Sequence, residues 1–195
     1  MKFDPKLYDD EFFKWHYDNV HFESIEIGES LVKETGITSL IDFGCGIGSY
    51  LYGAYMDCDI RGLELSENAK KYTPKKIQHT ITYGVDLSKE LKLERTVLRP
   101  FDASLCIEVA EHIEPSGSEM LIKNITKLTE NFCIFTAAPP GQEGTGHINC
   151  QEKEYWIGLF KKYKFTLSDM ELDSFHHAPD YVRKNLMIFK NESNN

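Results

Sequence analysis

Short apolar runs recur along the chain between longer stretches whose apolar residues follow helical spacing. The runs predict seven strands, at residues 39–43, 59–65, 76–84, 101–109, 132–138, 164–172 and 185–191. Residues 5–35 predict two helices that end at Gly36, a C-cap residue. Further helices are predicted at 50–56, at 67–72 behind the N-cap Ser66, within 114–131 and at 151–163, with a short helical or irregular stretch between the last two strands.

The alternation of strands and helices predicts the fold class. In the helix predicted within 114–131, for example, Leu121, Ile125 and Leu128 fall on one face. A chain that alternates in this way builds an α/β fold with a parallel sheet covered on both faces. We expect one domain over 1–195, in which N-terminal helices (1–35) precede a core (36–190). Ligands of such sheets bind beyond the carboxyl ends of the strands.

Composition narrows the function classes. Hydrophobic residues make up 41% and charged residues 27%, which is ordinary for a soluble globular domain. The formal net charge of -9 argues against a nucleic-acid partner, because phosphate binding needs clustered Lys and Arg. The basic stretch KKYTPKK (70–76) is interpreted as a solvated helix end.

The chain also carries no visible sign of a membrane or secretory context. No apolar run is long enough to span a bilayer and no apolar leader is visible, so we expect a cytoplasmic protein with no membrane partner. The five cysteines form no CxxC pair and are interpreted as reduced thiols, with Cys106 and Cys133 in the core.

A glycine cluster follows the first predicted strand, in the stretch LIDFGCGIGSY (40–50). Gly44, Gly46 and Gly48 are spaced G-x-G-x-G, and Asp42 precedes them. Glycine is costly in a regular element, so the cluster indicates a place where bare backbone is needed. The dinucleotide fingerprint is G-x-G-x-x-G, and here the third glycine comes one residue early.

Acidic residues stand at the ends of the next three predicted strands. Glu64 ends the second strand, about twenty residues past the glycines, where a carboxylate can accept hydrogen bonds from ribose hydroxyls. Asp86 follows the third strand and could accept from an adenine amine. Glu108 ends the fourth. Because these acids occur in this order at strand ends, coincidence is a poor explanation for them.

This set of motifs resembles the class I S-adenosylmethionine-dependent methyltransferases, over roughly residues 35–190. DFGCGIG (42–48) looks like their motif I, Glu64 matches their ribose-binding acid, and FDASLCIEVAEHI (101–113) looks like their fourth-strand motif. The resemblance implies a Rossmann-like sheet of strand order 3-2-1-4-5-7-6 with strand 7 antiparallel. It also implies S-adenosyl-L-methionine as cofactor, with these binding residues: Asp42, Gly44, Cys45, Gly46, Gly48, Glu64, Leu65, Asp86, Leu87, Ile107 and Glu108.

The stretch IFTAAPPGQEGTGHINCQEKEYWIGLF (134–160) looks like a loop shared by a bacterial-type subset of that family, some of whose members are connected with sugars or small metabolites. The resemblance therefore implies methyl transfer to an O or N of a small-molecule or sugar acceptor. A protein or RNA acceptor is the alternative within the class. The Asn/Asp-Pro-Pro-aromatic motif of nucleic-acid amine methylases is missing after strand four, where Glu108-Val-Ala stands.

Removal of the acceptor proton would need a base near strands four and five, and three residues are candidates. His112 lies four residues after Glu108, so the two could share a helical face. His147 lies in the loop of glycines and prolines. Glu111 could orient His112. The structural alternatives are a packing role for His112, a surface position for His147 and a solvated helix-end acid for Glu111.

Further aromatic and metal-ligating residues have simpler interpretations. Tyr8, Trp15, His16 and Tyr17 could form a lid over the acceptor, although a docking helix predicts the same residues and is preferred. His176 and His177 are expected at the surface. We expect no metal ion, because His147, Cys150 and the histidine pair lack ligand spacing.

Two other classes remain open on the sequence. A nicotinamide-dependent oxidoreductase would use Glu64 equally well, although the early third glycine and Asp42 speak against it. A module that holds the cofactor without chemistry is the third class.

Overall fold

The described residues, 4–91 and 99–194 of this computed structural model, build one seven-stranded sheet. Its strands are β1 (Ser39–Phe43), β2 (Asp59–Leu63), β3 (Ile81–Thr82), β4 (Phe101–Cys106), β5 (Thr129–Phe135), β6 (Phe165–Leu167) and β7 (Met187–Asn191). The strand order is β3-β2-β1-β4-β5-β7-β6. Strands β1 to β5 are parallel, and β7 runs antiparallel to its neighbours β5 and β6. The predicted fold class and strand order are confirmed.

Six α-helices accompany the sheet in the described residues. They are α1 (Asp10–Asn19), α2 (His21–Thr35), α3 (Ser49–Ala54), α4 (Ser118–Lys127), α5 (Lys153–Lys162) and α6 (Asp180–Asn185). The side chain of Asp9 caps α1 by accepting a hydrogen bond from Phe12 N. Gly36 ends α2 in the left-handed conformation at φ 66°, as predicted.

Successive strand residues pack into two hydrophobic cores, one on each face of the sheet. Leu40 of β1 belongs to the core under α2 and α3, whereas its neighbour Ile41 belongs to the core under α4 and α5. The predicted face of α4 is confirmed, because Leu121, Ile125 and Leu128 are all buried. Both faces of the sheet are therefore covered by helices, and a ligand can reach the sheet at the carboxyl ends of the strands.

Two glycines let α2 approach α3 closely. A Cβ atom on Gly28 would lie 2.0 Å from the carbonyl oxygen of Tyr50, and one on Gly53 would lie 2.0 Å from that of Ile25. His21 Nδ1 and Ser49 Oγ, 2.7 Å apart, add a hydrogen bond at the start of both helices. The close packing of α2 on α3 holds the N-terminal helices against the helix that follows the glycine cluster. It thereby keeps α1, which directly precedes α2, near the carboxyl end of β1.

The third strand is shorter than the sequence predicted. Instead of extending over 76–84, it comprises Ile81–Thr82, and Gln78–Thr80 form a 3-10 turn. Thr80 donates to the carbonyl of Ile77 through both N and Oγ1, at 2.9 and 2.8 Å. Such local hydrogen bonds compete with a strand ladder. Residues 67–71 likewise form a 3-10 helix, capped by Ser66 as expected.

The burial of individual residues agrees with several further expectations. Cys106 and Cys133 are fully buried in the core, as predicted. His176 and His177 are exposed, and so are the four lysines of the 70–76 stretch. Among the described residues, no helix combines the length and the apolar character needed to cross a bilayer.

Trp156 on α5 is the largest fully buried side chain, and its ring packs against Phe135 of β5 at a centroid distance of 5.3 Å. We expect Trp156→Ala to lower the free energy of unfolding by ~3–5 kcal/mol, because it removes the side chain and leaves a cavity. Urea denaturation followed by circular dichroism measures this loss. Trp15→Ala is the matched control, since Trp15 is 55% exposed. Equal losses in the two variants would contradict the assigned core.

Candidate active site

A cavity of about 1060 Å³ lies at the carboxyl ends of the central strands. Its walls come from the glycine cluster after β1, the segments after β2, β3 and β4, the loop 142–147, and residues 8–24 of the N-terminal helices. Residues 179–182 at the start of α6 complete it. The cavity is where the sheet topology predicts a ligand.

Backbone geometry explains the three glycines. Gly44, Gly46 and Gly48 have φ values of 78°, 54° and 78°, in the left-handed region that side chains other than glycine rarely adopt. A Cβ on Gly44 would lie 2.5 Å from Val109 Cγ2, and one on Gly48 would lie 2.8 Å from Ile81 Cδ1. Gly46 differs, because the nearest atom to its added Cβ is 3.9 Å away. Gly44 and Gly46 line the cavity, whereas Gly48 faces β3.

Protein acceptors already occupy the amide groups of the glycine loop. Gly44 N and Cys45 N both donate to the carbonyl of Leu63, at 2.8 and 3.1 Å. Gly48 N donates to the carbonyl of Cys45 at 2.8 Å. Gly46 N donates to Glu64 Oε2 at 2.9 Å. The loop therefore does not present these N–H groups as a cradle for phosphate.

Glu64 is held in place between the loop and the segment after β2. Its second carboxylate oxygen, Oε1, accepts from Ser66 N at 2.7 Å, and the residue is only 8% exposed. Burial raises the pKa of this carboxyl, and the two backbone hydrogen bonds oppose that rise. Each oxygen keeps acceptor capacity for a hydroxyl group that enters the cavity.

Asp42 lies beneath the glycine loop and is 2% exposed. Burial, together with the nearby charge of Glu64, raises the pKa of Asp42 to about 8. The base of the cavity thus holds two close carboxyl groups that favour a proton or an entering cation.

Most residues expected to contact a cofactor line this cavity. Among them are Cys45, Leu65, Asp86, Leu87 and Ile107. Asp86 is exposed and uses Oδ1 to accept from Ser88 N and Oγ, at 2.9 and 2.6 Å.

Glu108 and His112 both line the cavity, but they do not share a helical face as expected. Glu108 has φ 53° and follows the end of β4, and a 3-10 turn begins only at Ala110. The left-handed backbone of Glu108 changes the direction of the chain between β4 and this turn, so no continuous helix includes both residues. Its N–H donates to Thr136 Oγ1 at 2.8 Å, which holds this conformation.

Glu111 is fully buried, so the interpretation as a solvated helix-end acid is wrong. Its Oε1 accepts from Ala138 N at 3.2 Å, and its carbonyl accepts from Ile148 N and Asn149 N at 2.9 and 3.0 Å. Burial and the charge of Glu108 raise its pKa well above the usual range. Glu111 lies behind the cavity wall rather than in it, where it ties the 138–149 segment to the turn after β4.

The two candidate histidines contact each other at the cavity wall, with ring centroids 5.1 Å apart. His112 Nδ1 lies 3.2 Å from the carbonyl of Gly146, and His147 Nδ1 lies 3.0 Å from that of Gln142. A carbonyl only accepts, so Nδ1 carries the hydrogen in both rings. Burial lowers the pKa of His112 to about 4, so this ring is neutral near pH 7.

The N-terminal segment supplies aromatic wall residues. Tyr8, Trp15 and His16 line the cavity, whereas Tyr17 does not and instead stacks on His21 at 4.9 Å. The carbonyl of Tyr8 accepts from Ser66 Oγ at 2.8 Å, which attaches the segment to the turn after β2.

Sequence reasoning missed several polar residues of the site. Gln142 lines the cavity, and Asn185, 4% exposed, donates to Gln142 Oε1 and Glu108 Oε1 at 3.1 and 3.3 Å. Buried Asn149 donates to the carbonyl of Ala110 and to Ser118 Oγ. Gln142 and Asn149 lie in the glycine-rich loop that was singled out, but nothing in the sequence marks their side chains as buried or paired.

One group of side chains in the described residues could hold a cation. Glu111, His112 and His147 each offer a ligand atom within 4.8 Å of the others. A Cβ added to Gly144 would lie 2.2 Å from His147 Nε2 and 2.4 and 2.7 Å from the ring carbons beside it, so this loop glycine packs against the face of the His147 ring. That the site needs no metal stays a prediction.

Comparisons with known proteins agree on the fold. No protein-family model matches the chain, and no curated protein matches it in sequence. The sugar N-methyltransferase KedS8 from Streptoalloteichus superposes with a TM-score of 0.67 and 14% identity, over 92% of this chain and 91% of that one. The amino pentose methyltransferase CalS10 from Micromonospora echinaspora gives 0.68 and 11%, over 91% and 94%. The chain has the class I methyltransferase fold.

A third solved structure extends the range of chemistry found on this fold. The magnesium protoporphyrin IX methyltransferase ChlM from Synechocystis, solved with bound SAH (S-adenosylhomocysteine), gives a TM-score of 0.60 and 17% identity, over 87% of this chain and 81% of that one. At such identities the similarity establishes the architecture, and function must be argued from this chain's own site.

The glycine geometry predicts unequal effects of one substitution at two positions. We expect Gly46→Ala to cost ~1–2 kcal/mol of folding free energy from its left-handed backbone alone. Gly44→Ala should cost ~2–5 kcal/mol, because its Cβ also collides with Val109. Urea denaturation of both variants measures the difference. A larger loss for Gly46→Ala would contradict the described loop.

Proposed function

We propose that the protein is an S-adenosylmethionine-dependent methyltransferase that transfers a methyl group to an O or N of a small molecule or sugar. The main observation in its support is the glycine loop, which lies beside two buried acids. Its amides at Gly44, Cys45, Gly46 and Gly48 already donate hydrogen bonds to protein acceptors.

That loop suits a nucleoside with a cationic tail better than a dinucleotide. Asp42 and Glu64 are buried beside it, and a diphosphate placed there would meet two carboxyl groups, whereas the amides of Gly44, Cys45, Gly46 and Gly48 already donate to protein acceptors. A sulfonium cation gains from the same two groups. The loop therefore favours S-adenosylmethionine over a nicotinamide dinucleotide, the alternative that the ribose-binding acid alone left open.

The cavity residues fit the parts of this cofactor. Glu64, fixed by two backbone N–H groups, has lone pairs left for the two ribose hydroxyls. Asp86 and Leu87 stand at the β3 end, where an adenine would lie. Gly46 leaves open space beside the loop, and the backbone of Ile107 and Glu108 stands opposite, where the amino-acid part would lie. When bound, the cofactor supplies an electrophilic methyl group.

The acceptor class rests on the cavity and on the structural neighbours. The neighbours include a sugar N-methyltransferase and an amino pentose methyltransferase. The same cavity extends past Glu108 to the N-terminal aromatics and the 142–147 loop, which gives a small molecule room beside the cofactor. A protein or RNA acceptor is less favoured, because the chain has a formal net charge of -9 and the cavity is partly covered by residues 8–24.

The chain's own contribution to the reaction is to orient and desolvate the reactants and to move a proton. Methyl transfer from an already activated donor gains most from alignment of the reactants and exclusion of water. The N-terminal aromatics and the 142–147 loop form the wall on the acceptor side of the cavity. His112 is neutral with Nδ1 hydrogen-bonded to Gly146, so its Nε2 can accept a proton from the acceptor.

Calorimetric titration with S-adenosylhomocysteine and, separately, with NADH tests the cofactor. We expect micromolar binding of the first and no binding of the second. Binding of NADH alone would replace this proposal by an oxidoreductase. Binding of S-adenosylhomocysteine without methyl transfer to any compound in a broad acceptor screen would favour the non-catalytic module.

Glu64→Gln provides the matched variant for that titration. We expect it to weaken S-adenosylhomocysteine binding by ~1–3 kcal/mol, since one accepting oxygen becomes a donor. Glu67→Gln, an exposed acid three residues away, is the control and should bind as the unchanged protein does. Equal affinity of both variants would remove Glu64 from the nucleoside site.

His112→Ala tests the proton acceptor. We expect methyl transfer to fall ~10²-fold or more, with S-adenosylhomocysteine affinity unchanged, because the base acts on the acceptor and not on the cofactor. Transfer of a radiolabelled methyl group to an acceptor from the screen measures the rate. His176→Ala, at an exposed position, serves as control. Full activity of His112→Ala would leave this ring a packing residue and shift the role to His147.

A further inference from the structure

Glu108 has an unusual backbone for its position. Among the described residues, only Glu108 and Lys164 have positive φ without being glycine. Lys164 follows the end of α5 in an exposed turn, where this conformation is common. Glu108 instead lies two residues after the central strand β4, at the cavity wall. Such strain costs ~1–3 kcal/mol and is typically found where a side chain must be aimed.

Two amide side chains hold the carboxylate that this backbone presents. Asn185 Nδ2 lies 3.3 Å from Glu108 Oε1, and Gln142 Nε2 lies 3.5 Å from Glu108 Oε2. The two amides are joined in turn, 3.1 Å apart. The three side chains come from the turn after β4, the loop after β5 and the end of α6. They form a preorganised set of acceptor oxygens in which both amide donors to Glu108 are neutral and at long distance.

Neighbouring charges make this carboxylate a site for a cation. Fully buried Glu111 lies beside it, and because burial and the charge of Glu108 raise the pKa of Glu111, the negative charge of this pair is favoured on Glu108. The described cavity wall carries six acidic side chains and one basic side chain, Lys89; the acids are Asp42, Glu64, Asp86, Glu108, Glu114 and Glu143. No ion pair of the described residues involves Glu108. An anionic acceptor is disfavoured by the same wall.

We propose that the acceptor is an amine, and that Glu108, supported by Gln142 and Asn185, is its binding site. This inference rests on the proposed methyltransferase function and narrows its acceptor from O or N to N. An ammonium group is attracted to the carboxylate as it enters. After the ammonium has passed one proton to Nε2 of His112, the neutral amine still donates N–H to Glu108 and Gln142 oxygens. Its lone pair forms the new N–C bond as the S–C bond breaks and S-adenosylhomocysteine leaves.

In this proposal the Glu108 side chain binds the acceptor and not the cofactor. The resemblance to the methyltransferase family placed Glu108 among cofactor contacts through its backbone. The side chain instead points at a polar group made with Gln142 and Asn185, which lie on segments that follow β5 and precede β7. The two assignments differ in one measurable quantity, the dependence of cofactor affinity on the Glu108 carboxylate.

The experiment uses the full chain saturated with S-adenosylhomocysteine and two matched probes, D-glucosamine and D-glucose, titrated by ligand-observed NMR. We expect the amine to bind at least about 10-fold more tightly than the hydroxyl counterpart, the range for a hydrogen bond to a charged group. Glu108→Gln should lose that preference and keep S-adenosylhomocysteine affinity within about 3-fold. Glu152→Gln, an exposed acid outside the cavity, should keep both.

Each other outcome overturns the inference or the proposed function, and the two are distinguishable. Equal binding of the two sugars, no binding of either, or an unchanged preference in Glu108→Gln overturns the amine site alone. A 10-fold loss of S-adenosylhomocysteine affinity in Glu108→Gln returns the side chain to the cofactor. Failure of the unchanged protein to bind S-adenosylhomocysteine overturns the proposed function itself. Circular dichroism of the variant confirms that it folds.

Discussion

The hydrogen bonds of Glu64 are the interaction on which the site depends. One oxygen accepts from Gly46 N and the other from Ser66 N, so a single side chain ties the loop after β1 to the segment after β2. The tie fixes the left-handed turn at Gly46, and Ser66 in turn holds the carbonyl of Tyr8. The nucleoside end of the cavity and its N-terminal wall are thus positioned by one buried carboxylate.

That arrangement sets the charge that the cavity accepts. Buried carboxyl groups at Asp42, Glu64 and Glu111 are costly unless hydrogen bonds or cations offset the loss of hydration. Glu64 and Glu111 each accept backbone hydrogen bonds, and Asp42 has its pKa raised to about 8. Both reactants of the proposed reaction, a sulfonium donor and an amine, are cations in water. The acidic side chains of the cavity wall therefore favour both reactants.

The sheet was predictable from the sequence because each strand is an apolar run bounded by turn residues, and the crossover rules leave few topologies for it. The glycine loop and the acids at the strand ends were predictable for the same reason, since parallel strands bring their carboxyl ends together. Strand β3 was overextended, because local hydrogen bonds at Thr80 compete with the ladder and leave no mark in the alternation. Burial of Glu111 and Asn149 was invisible, since it is created by the 138–149 segment folding back onto the turn after β4.

The parts that escaped prediction are the parts that choose the acceptor. Gln142 and Asn185 reach Glu108 from segments far apart in sequence, and no local pattern records that meeting. The backbone strain at Glu108 likewise depends on Thr136, a buried residue of the neighbouring strand end. The cofactor half is built from local motifs that follow single strands, whereas the acceptor half is assembled across the sheet. The same fold can therefore keep one donor and change its acceptor when these irregular segments change.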